Sequence, residues 1–203
     1  MLDTALWAST AITLTEATEG MLEGGARMLQ FRHKGHFSRA VFTEAARMAQ
    51  MCLAAGALFV VNDRADIAAL LDAALHVGQD DLLPRDARKV LPARLGLGLS
   101  THNEAQLREA CEEPVDYVAL GPIFATHSKD NPDPVVGLKE LQRLRAIANK
   151  PLVAIGGITR ERALAALHAG ADAVAVIRDL IPEQHTKRAL RARTEEWLQL
   201  LKT

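Results

Sequence analysis

Eight short apolar runs recur along the chain, and this rhythm is the feature that most constrains its fold. The runs lie at residues 6–8, 28–29, 58–61, 75–77, 95–97, 117–120, 152–155 and 173–176. They lack strict apolar/polar alternation, which is typical of strands buried on both faces of a parallel sheet. Between them, apolar residues recur at helical spacing, for example over residues 42–53 and 138–147. The sequence therefore predicts eight alternations of strand and helix.

Eight such alternations predict right-handed βαβ units that form a single (β/α)8 TIM barrel with parallel strands, as one domain over residues 1–203. A doubly wound open sheet is the competing architecture. That fold usually carries a G-x-G-x-x-G turn after its first strand, and this sequence has none there. No repeat, low-complexity tract or Ser/Gly linker interrupts the pattern, so the barrel is favoured.

Composition and charge exclude several classes of partner. Of 203 residues, 24 are basic and 25 acidic, giving a net charge of −1, and the two signs are mixed along the chain. We expect no nucleic-acid partner and no membrane partner, because no basic patch is evident and no apolar run approaches the ~18 residues of a membrane span. A cytoplasmic protein is expected. Cys52 and Cys111 form no zinc or disulfide pattern and are expected to pack in helices.

Polar side chains follow nearly every predicted strand. In a (β/α)8 barrel the carboxyl ends of the strands form the active-site face, so we expect these side chains to share one rim. Asp63 and Asp81 follow the third and fourth runs and could jointly hold Mg²⁺, which is typically bound by one or two carboxylates plus phosphate oxygens. Arg32, Lys34 and Lys129 would neutralise the remaining charge of a polyphosphate.

A second anion site is predicted at Gly156-Gly157, which follows the seventh run, and in the segment after the eighth run. Backbone amides and a helix N-terminus face an anion at this place in many barrels. Two anion sites suggest two phosphorylated substrates, or one substrate with phosphate at both ends.

Simpler readings stay open for each of these residues taken alone. Asn62-Asp63 could be a helix N-cap, and Gly156-Gly157 could be only a tight turn. Arg32 and Lys34 could be solvated loop charges, and residues 79–81 could be a polar turn with Asp80 exposed. What favours function is that polar residues recur after nearly every strand.

The histidines have different expected roles. His76 is expected to be a hydrogen-bonded core or rim residue, and His102 to belong to the first turn of a helix. His127 lies in residues 121–136, a Pro-containing candidate mobile loop, and is the one histidine that we would test as catalytic. Ser100 has no evident partner base in the sequence.

Five segments together resemble the thiamine phosphate synthase family. They are QFRHK at residues 30–34, VNDR at 61–64, HVGQDD at 76–81, GPIFATHSK at 121–129 and AIGGI at 154–158. The resemblance extends over residues 20–180. Each motif alone is moderately specific, whereas five in this order and spacing are strongly so.

The resemblance implies a Mg²⁺-dependent transferase that joins a hydroxymethylpyrimidine diphosphate to a thiazole phosphate, releasing pyrophosphate by a dissociative substitution without a general base. It implies that Asp63 and Asp81 ligate Mg²⁺, and that Arg32, Lys34, Ser100 and Lys129 are catalytic. The implied pyrimidine diphosphate contacts are Gln30, Arg32, Lys34, Asn62, Ser100 and Lys129. Those implied for the thiazole phosphate are Thr126, His127, Ser128, Gly157, Ile177 and Arg178.

Two departures from the family pattern leave alternatives open. Arg178 stands where the family usually has a serine, and residues 6–10 form an atypical first strand. A thiazole tautomerase of the same fold is one alternative, although its members typically carry Gly-His where this chain has Gly121-Pro122. A noncatalytic thiamine-precursor binding module is another. A homodimer is compatible with the sequence, which does not decide the oligomeric state.

Overall fold

The computed structural model describes residues 1–126 and 133–202. Within them, eight strands form one sheet in which the strand order follows the sequence, and every recorded strand pair is parallel. The strands are β1 Leu2–Asp3, β2 Met28–Arg32, β3 Leu58–Asn62, β4 Ala74–Val77, β5 Leu97–Thr101, β6 Tyr117–Leu120, β7 Leu152–Ala154 and β8 Ala173–Val174. The predicted parallel strands are thereby confirmed.

Helices alternate with the strands, as the apolar spacing predicts. They are α1 Thr4–Trp7, α2 Leu14–Glu23, α3 Arg39–Ala54, α4 Ala65–Leu70, α5 Pro84–Ala87, α6 Glu104–Glu112, α7 Gly137–Arg145, α8 Arg160–His168 and α9 Lys187–Leu200, with a 3-10 turn at Arg178–Leu180. Several begin at a capping side chain. Thr13 and Glu16 form a capping box at α2, because each side chain binds the other's backbone amide.

The chain divides into two compact units, each described here by itself. The first unit contains Met1–Ala74 and Leu180–Thr203. In it, β1 pairs with β2 and β2 with β3, which places Phe31 beside Leu2 and Val61. Helices α2 and α9 pack closely, since a Cβ atom at Gly24 would lie only 2.7 Å from the Arg191 carbonyl oxygen.

The second unit contains Leu75–Asp179, with the remaining strands in parallel register. Its interior is formed by fully buried leucine and isoleucine side chains from strands, loops and helices: Leu75, Leu97, Leu107, Leu120, Ile123, Leu141 and Leu144. The single domain predicted for residues 1–203 stays a prediction.

The position predicted for the first strand is wrong. Residues 6–8 do not form it; β1 is Leu2–Asp3, and Thr4–Trp7 is a short helix. The Asp3 carboxylate starts that helix by accepting hydrogen bonds from the amides of Ala5 and Leu6, at 3.0 and 3.2 Å. Trp7 is buried, so the apolar run reflected burial on a helix instead of a strand.

The fifth strand also differs from its prediction. It begins at Leu97, where the predicted run ends, and continues to Thr101. Ser100 and Thr101 are therefore buried strand residues and do not follow the strand. Hydrogen bonds make this possible: the Thr101 hydroxyl, for example, donates to the Ala119 carbonyl at 2.9 Å.

Two smaller expectations can be compared with the structure. Both cysteines lie in helices as predicted, Cys52 buried in α3 and Cys111 half-buried in α6. Across residues 1–126 and 133–202, no helix is long and apolar enough to cross a membrane.

Candidate active site

Arg32, the last residue of β2, forms an ion pair with the Asp3 carboxylate. Register explains the pair, because Asp3 and Arg32 are directly opposed on β1 and β2. Asp3 is only 3% exposed and also caps α1. The solvated-charge reading of Arg32 is therefore wrong. Asp3 is not among the site residues predicted from the sequence, because the helix that it caps was predicted as a strand.

Lys34 and Asp63 form a second ion pair, between the segments that follow β2 and β3. Asp63 adopts φ +66°, a left-handed conformation that few non-glycine residues take and that is often found at functional sites. The N-cap position of α4 is Arg64, so the N-cap reading of Asp63 is wrong. The Lys34 side chain is 54% exposed and that of Asp63 15% exposed, which leaves the lysine able to exchange its partner.

Two amide side chains accompany these charges. Asn62 is the last residue of β3 and is 8% exposed. Gln30 lies within β2, and its buried Oε1 atom accepts no hydrogen bond from the described residues. A buried acceptor of this kind is costly unless a donor reaches it, so Gln30 is suited to accept from a ligand amine.

The turn after β4 has Asp81 half-buried and Asp80 exposed, which agrees with the polar-turn reading. Asp81 Oδ2 accepts from the Gly78 amide at 2.7 Å, which orients the carboxylate. The Gln79 amide donates to the Ser100 carbonyl at 2.6 Å, which joins this turn to β5.

His76, Ser100 and Tyr117 form a hydrogen-bonded chain across β4, β5 and β6. His76 Nε2 lies 2.8 Å from the Ser100 hydroxyl, and His76 Nδ1 lies 2.9 Å from the Tyr117 hydroxyl. The prediction that His76 is a hydrogen-bonded core or rim residue is confirmed. The ring-nitrogen partner of Ser100 was not evident from the sequence. The signal available was Gly98, since a glycine within a buried strand often marks a close approach.

The Gly156-Gly157 turn is left-handed at both residues, with φ +83° and +65°. A Cβ atom at Gly157 would lie 2.6 Å from the Ala125 carbonyl and 2.7 Å from that of Phe124. The turn is also bonded to the segment after β6, because the Phe124 amide donates to the Gly156 carbonyl at 3.1 Å. Both glycines are therefore required for the turn itself, in agreement with the tight-turn interpretation. Phosphate binding at this turn stays a prediction.

The other predicted thiazole-phosphate contacts are placed as follows. Thr126 is half-buried after β6, Ile177 is half-buried, and Arg178 is exposed at the start of the 3-10 turn. The next residue, Asp179, pairs with Arg160 of α8 at 3.0 Å. His127, Ser128 and Lys129 lie outside the described residues.

His102 contacts both described ends of the candidate loop. Its Nδ1 atom lies 2.5 Å from the Gly121 carbonyl oxygen, and its Nε2 atom lies 3.4 Å from an Asp133 carboxylate oxygen. The expectation that His102 belongs to a helix's first turn is wrong, because Asn103 is the N-cap of α6. Its backbone amide nevertheless donates to Gln106 at 2.8 Å and so takes part in the start of that helix.

In each unit, the polar groups near the strand ends are suited to binding an anionic ligand. Carboxylates, ammonium and guanidinium groups, and a hydroxyl lie at or near the carboxyl ends of strands. Groups of three or more His, Cys, Asp or Glu that could enclose a metal are absent from the described residues. Carboxylate oxygens are ligands that Mg²⁺ accepts when substrate oxygens and water complete its shell, and the assignment of Asp63 and Asp81 to Mg²⁺ stays a prediction.

The family model for thiamine monophosphate synthase matches residues 5–180, which is most of the chain. The chain belongs to this family. The match includes all the described residues assigned above to substrate or metal, and it confirms the family predicted from the five motifs.

Curated members of the thiamine monophosphate synthase family resemble the chain over nearly its whole length. The thiamine-phosphate synthase of Koribacter versatilis is 46% identical over 190 residues, covering 93% of this chain and 87% of the relative. That of Methanoculleus marisnigri is 40% identical over 181 residues, covering 89% and 86%. The predicted enzyme class, a transferase of this family, is confirmed by these relatives.

Solved structures support the same family and fold. Thiamine phosphate pyrophosphorylase from Pyrococcus furiosus matches with a TM-score of 0.78 and 31% identity, over 92% of this chain and 91% of that one. The structure titled "Native KDPGal structure" matches with a TM-score of 0.67 at 13% identity and shows the fold alone. The predicted (β/α)8 fold class is confirmed.

Proposed function

We propose that this member of the family forms thiamine phosphate from 4-amino-2-methyl-5-hydroxymethylpyrimidine diphosphate and a thiazole phosphate. The observation that carries the proposal is that Arg32 and Asn62 end β2 and β3 and Asp63 follows β3, within the range that the family model matches and at the strand ends where barrel enzymes bind substrates. The motif order of the family and the strand order of the sheet thus point to the same residues.

The pyrimidine diphosphate is assigned to Gln30, Arg32, Lys34, Asn62, Ser100 and Lys129. Gln30 Oε1, a buried acceptor without a partner among the described residues, is suited to the amine on the pyrimidine ring. Arg32 and Lys34 would face diphosphate oxygens, and each is already held near its position by a carboxylate. A guanidinium contacts phosphate through a planar fork and an ammonium as a point charge, so the two cations are not interchangeable.

Mg²⁺ is assigned to Asp63 and Asp81. Both are carboxylates that follow a strand, and the Gly78 amide orients the Asp81 carboxylate through its Oδ2 atom. Binding of metal and diphosphate would transfer Lys34 from Asp63 to a phosphate oxygen, because Asp63 cannot serve the cation and the lysine equally well. When bound, Mg²⁺ supplies positive charge that stabilises the departing pyrophosphate.

In the proposed reaction, the bond between the pyrimidine methylene carbon and the diphosphate oxygen breaks, and pyrophosphate takes the electron pair. The resulting pyrimidine-methyl cation is captured by the thiazole ring nitrogen, which forms the new C–N bond. No proton needs to be removed for this step. The protein therefore contributes electrostatic stabilisation by Arg32, Lys34 and Lys129, a hydroxyl from Ser100, and positioning of the acceptor.

The thiazole phosphate is assigned to Thr126, His127, Ser128, Gly157, Ile177 and Arg178. The left-handed conformation of Gly157 orients the backbone of this turn in a way that most other residues could not adopt. Arg178, in place of the family's usual serine, would add a charged contact. We further propose a cytoplasmic enzyme with small-molecule substrates only, a single domain over residues 1–203, and a homodimer as the assembly to test.

The proposal is tested by assaying thiamine phosphate formation from the two purified precursors, with and without Mg²⁺. We expect metal-dependent product, and we expect Lys129→Ala to lower kcat on the order of 10²-fold or more because a cation facing the leaving group is lost. Lys139→Ala, which removes an exposed lysine from α7, is the matched control and should leave the rate unchanged.

A folded wild-type protein that binds thiazole phosphate but forms no product would contradict the proposal. Interconversion of thiazole tautomers in the same preparation would then identify the tautomerase. Ligand binding with neither activity would identify the noncatalytic binding module.

A further inference from the structure

His76 connects Tyr117 to Ser100 through its two ring nitrogens, at 2.9 and 2.8 Å. We propose that His76 is a positioning residue for catalysis: it donates a hydrogen bond to the Ser100 oxygen and so directs the Ser100 proton toward the pyrimidine diphosphate. The inference rests on the proposed function, in which Ser100 contacts that substrate. It adds to it two residues, His76 and Tyr117, that act through Ser100.

The register of the strands explains why these side chains meet. His76 of β4 is directly opposite Gly98 of β5, and Gly98 is directly opposite Tyr117 of β6. Residues in one such row point to the same face of a sheet, and adjacent strands are ~4.8 Å apart. His76 and Tyr117 are thus separated by a whole strand, yet their rings stack with centroids 5.5 Å apart.

Gly98 makes this approach possible. A Cβ atom built on Gly98 would collide with the Tyr117 ring, so any other residue would displace the tyrosine. Ser100 lies two residues farther along β5 and therefore points to the same face, one step nearer the strand's carboxyl end. Tyr117 thus fixes the position of His76, and His76 fixes the position of the Ser100 hydroxyl, which lies nearer the carboxyl end of β5.

The direction of the hydrogen bonds follows from the chemistry of the phenol. Burial raises the pKa of Tyr117, so the hydroxyl keeps its proton. In the proposed chain this proton is donated to His76 Nδ1, which lies 2.9 Å away. With Nδ1 accepting, the imidazole proton lies on Nε2, which donates to Ser100. The Ser100 oxygen then accepts from His76, and its own single proton is available to an anionic oxygen of the ligand.

Two substitutions separate this role from simple packing. In His76→Gln the side-chain amide nitrogen can take the place of Nε2 and still donate to Ser100. In His76→Asn the amide nitrogen corresponds to Nδ1, and the donor to Ser100 is lost. We expect His76→Asn to lower kcat/KM on the order of 10-fold to 10²-fold, because a misdirected catalytic group has effects of this size, and His76→Gln to retain most of the rate.

The decisive measurement is a double-mutant cycle with Ser100→Ala. If His76 acts through Ser100, His76→Asn has no further effect once the Ser100 hydroxyl is gone. The affinity for the pyrimidine diphosphate is measured by calorimetry for the wild type, the two single variants and the double variant. The cycle can then be completed even where Ser100→Ala forms too little product. Near-UV circular dichroism confirms folding, and Tyr117→Phe replaces His76→Asn in the cycle if that variant does not fold.

Independent, multiplicative effects of His76→Asn and Ser100→Ala would overturn the inference, as would equal losses for His76→Gln and His76→Asn. Wild-type turnover is measured first, so failure of the proposed function can be distinguished from failure of the role proposed for His76. Absence of thiamine phosphate from the wild type contradicts the proposed function, whereas normal wild-type turnover with multiplicative variants contradicts only the role of His76.

Discussion

The polar residues of the two units are held in different ways. In the first unit, Arg32 and Lys34 are held by opposite charges, Asp3 and Asp63. In the second unit, His76, Ser100 and Tyr117 are strand residues held by hydrogen bonds to one another. The Lys34–Asp63 pair has an exposed lysine and can exchange partners at small cost, whereas a hydrogen-bonded chain inside a packed sheet keeps its geometry.

This difference matches what each group must do in the proposed reaction. Metal and diphosphate arrive and leave in every turnover, so Asp63 and Lys34 need to change partners. A hydroxyl that directs one proton gains more from a fixed orientation, because its value depends on angle as well as distance. A side chain's freedom to move therefore depends on its partner: an ion pair with an exposed lysine, such as Lys34–Asp63, can rearrange, whereas a buried hydrogen-bonded group such as Ser100 is held in place.

The largest expected effect tests the carboxylates. Asp63→Asn and Asp81→Asn each remove a proposed metal charge, so we expect kcat/KM to fall by on the order of 10²-fold or more, partly recovered by raising Mg²⁺. Asparagine is chosen because it tolerates the left-handed conformation of Asp63. Initial rates across a Mg²⁺ titration measure this.

Asp80→Asn is the matched control, since Asp80 neighbours Asp81 and is exposed. It should leave both the rate and the Mg²⁺ dependence unchanged. Equal losses in Asp80→Asn and Asp81→Asn would show that net negative charge, and not a specific ligand, is what matters.

The next effect tests the packed turn of the second unit. Gly157→Ala should lower the free energy of unfolding by about 2–4 kcal/mol, because it combines a left-handed alanine with a Cβ atom 2.6 Å from the Ala125 carbonyl. Urea denaturation measures the change.

Gly137→Ala isolates the backbone contribution, because Gly137 has φ +78° and open space around a Cβ atom. Its expected cost is about 1–2 kcal/mol. Equal costs for the two variants would show that the turn tolerates a side chain and is less rigid than the comparison requires.

The smallest effect concerns the ion pairs of the first unit. Asp3→Asn keeps a cap oxygen for α1 but removes the charge that holds Arg32. We expect a loss of about 1–3 kcal/mol in unfolding free energy, because Arg32 is only partly exposed, with a several-fold higher KM for the pyrimidine diphosphate. Thermal unfolding and steady-state kinetics measure the two parts.

Asp66→Asn provides the control, because it breaks an exposed pair in the same unit. The Arg64 guanidinium holds the pKa of Asp66 below its usual range, yet both side chains are largely in solvent, so the expected change is within about 0.5 kcal/mol. A KM unchanged by Asp3→Asn would mean that Asp3 stabilises the fold without positioning Arg32.

The sequence by itself determined the fold class and the family. Apolar runs fix which segments are buried in a parallel sheet, and the motif residues near the strand ends are close in sequence to those runs. Residues 79–81 mark the limit, since the sequence left open whether they form a polar turn or part of a metal site.

Only the tertiary structure decided which side chains pair with one another. Asp3 pairs with Arg32 29 residues away, and His76 reaches Ser100 24 residues away, because strand register brings them together. The first strand was misplaced for a related reason: the apolar run at Trp7 records burial, and burial alone does not distinguish a helix capped by Asp3 from a strand. Local sequence patterns indicate which segments are buried and in which order the motifs occur. Side-chain pairing depends on strand register, which is a property of the assembled sheet.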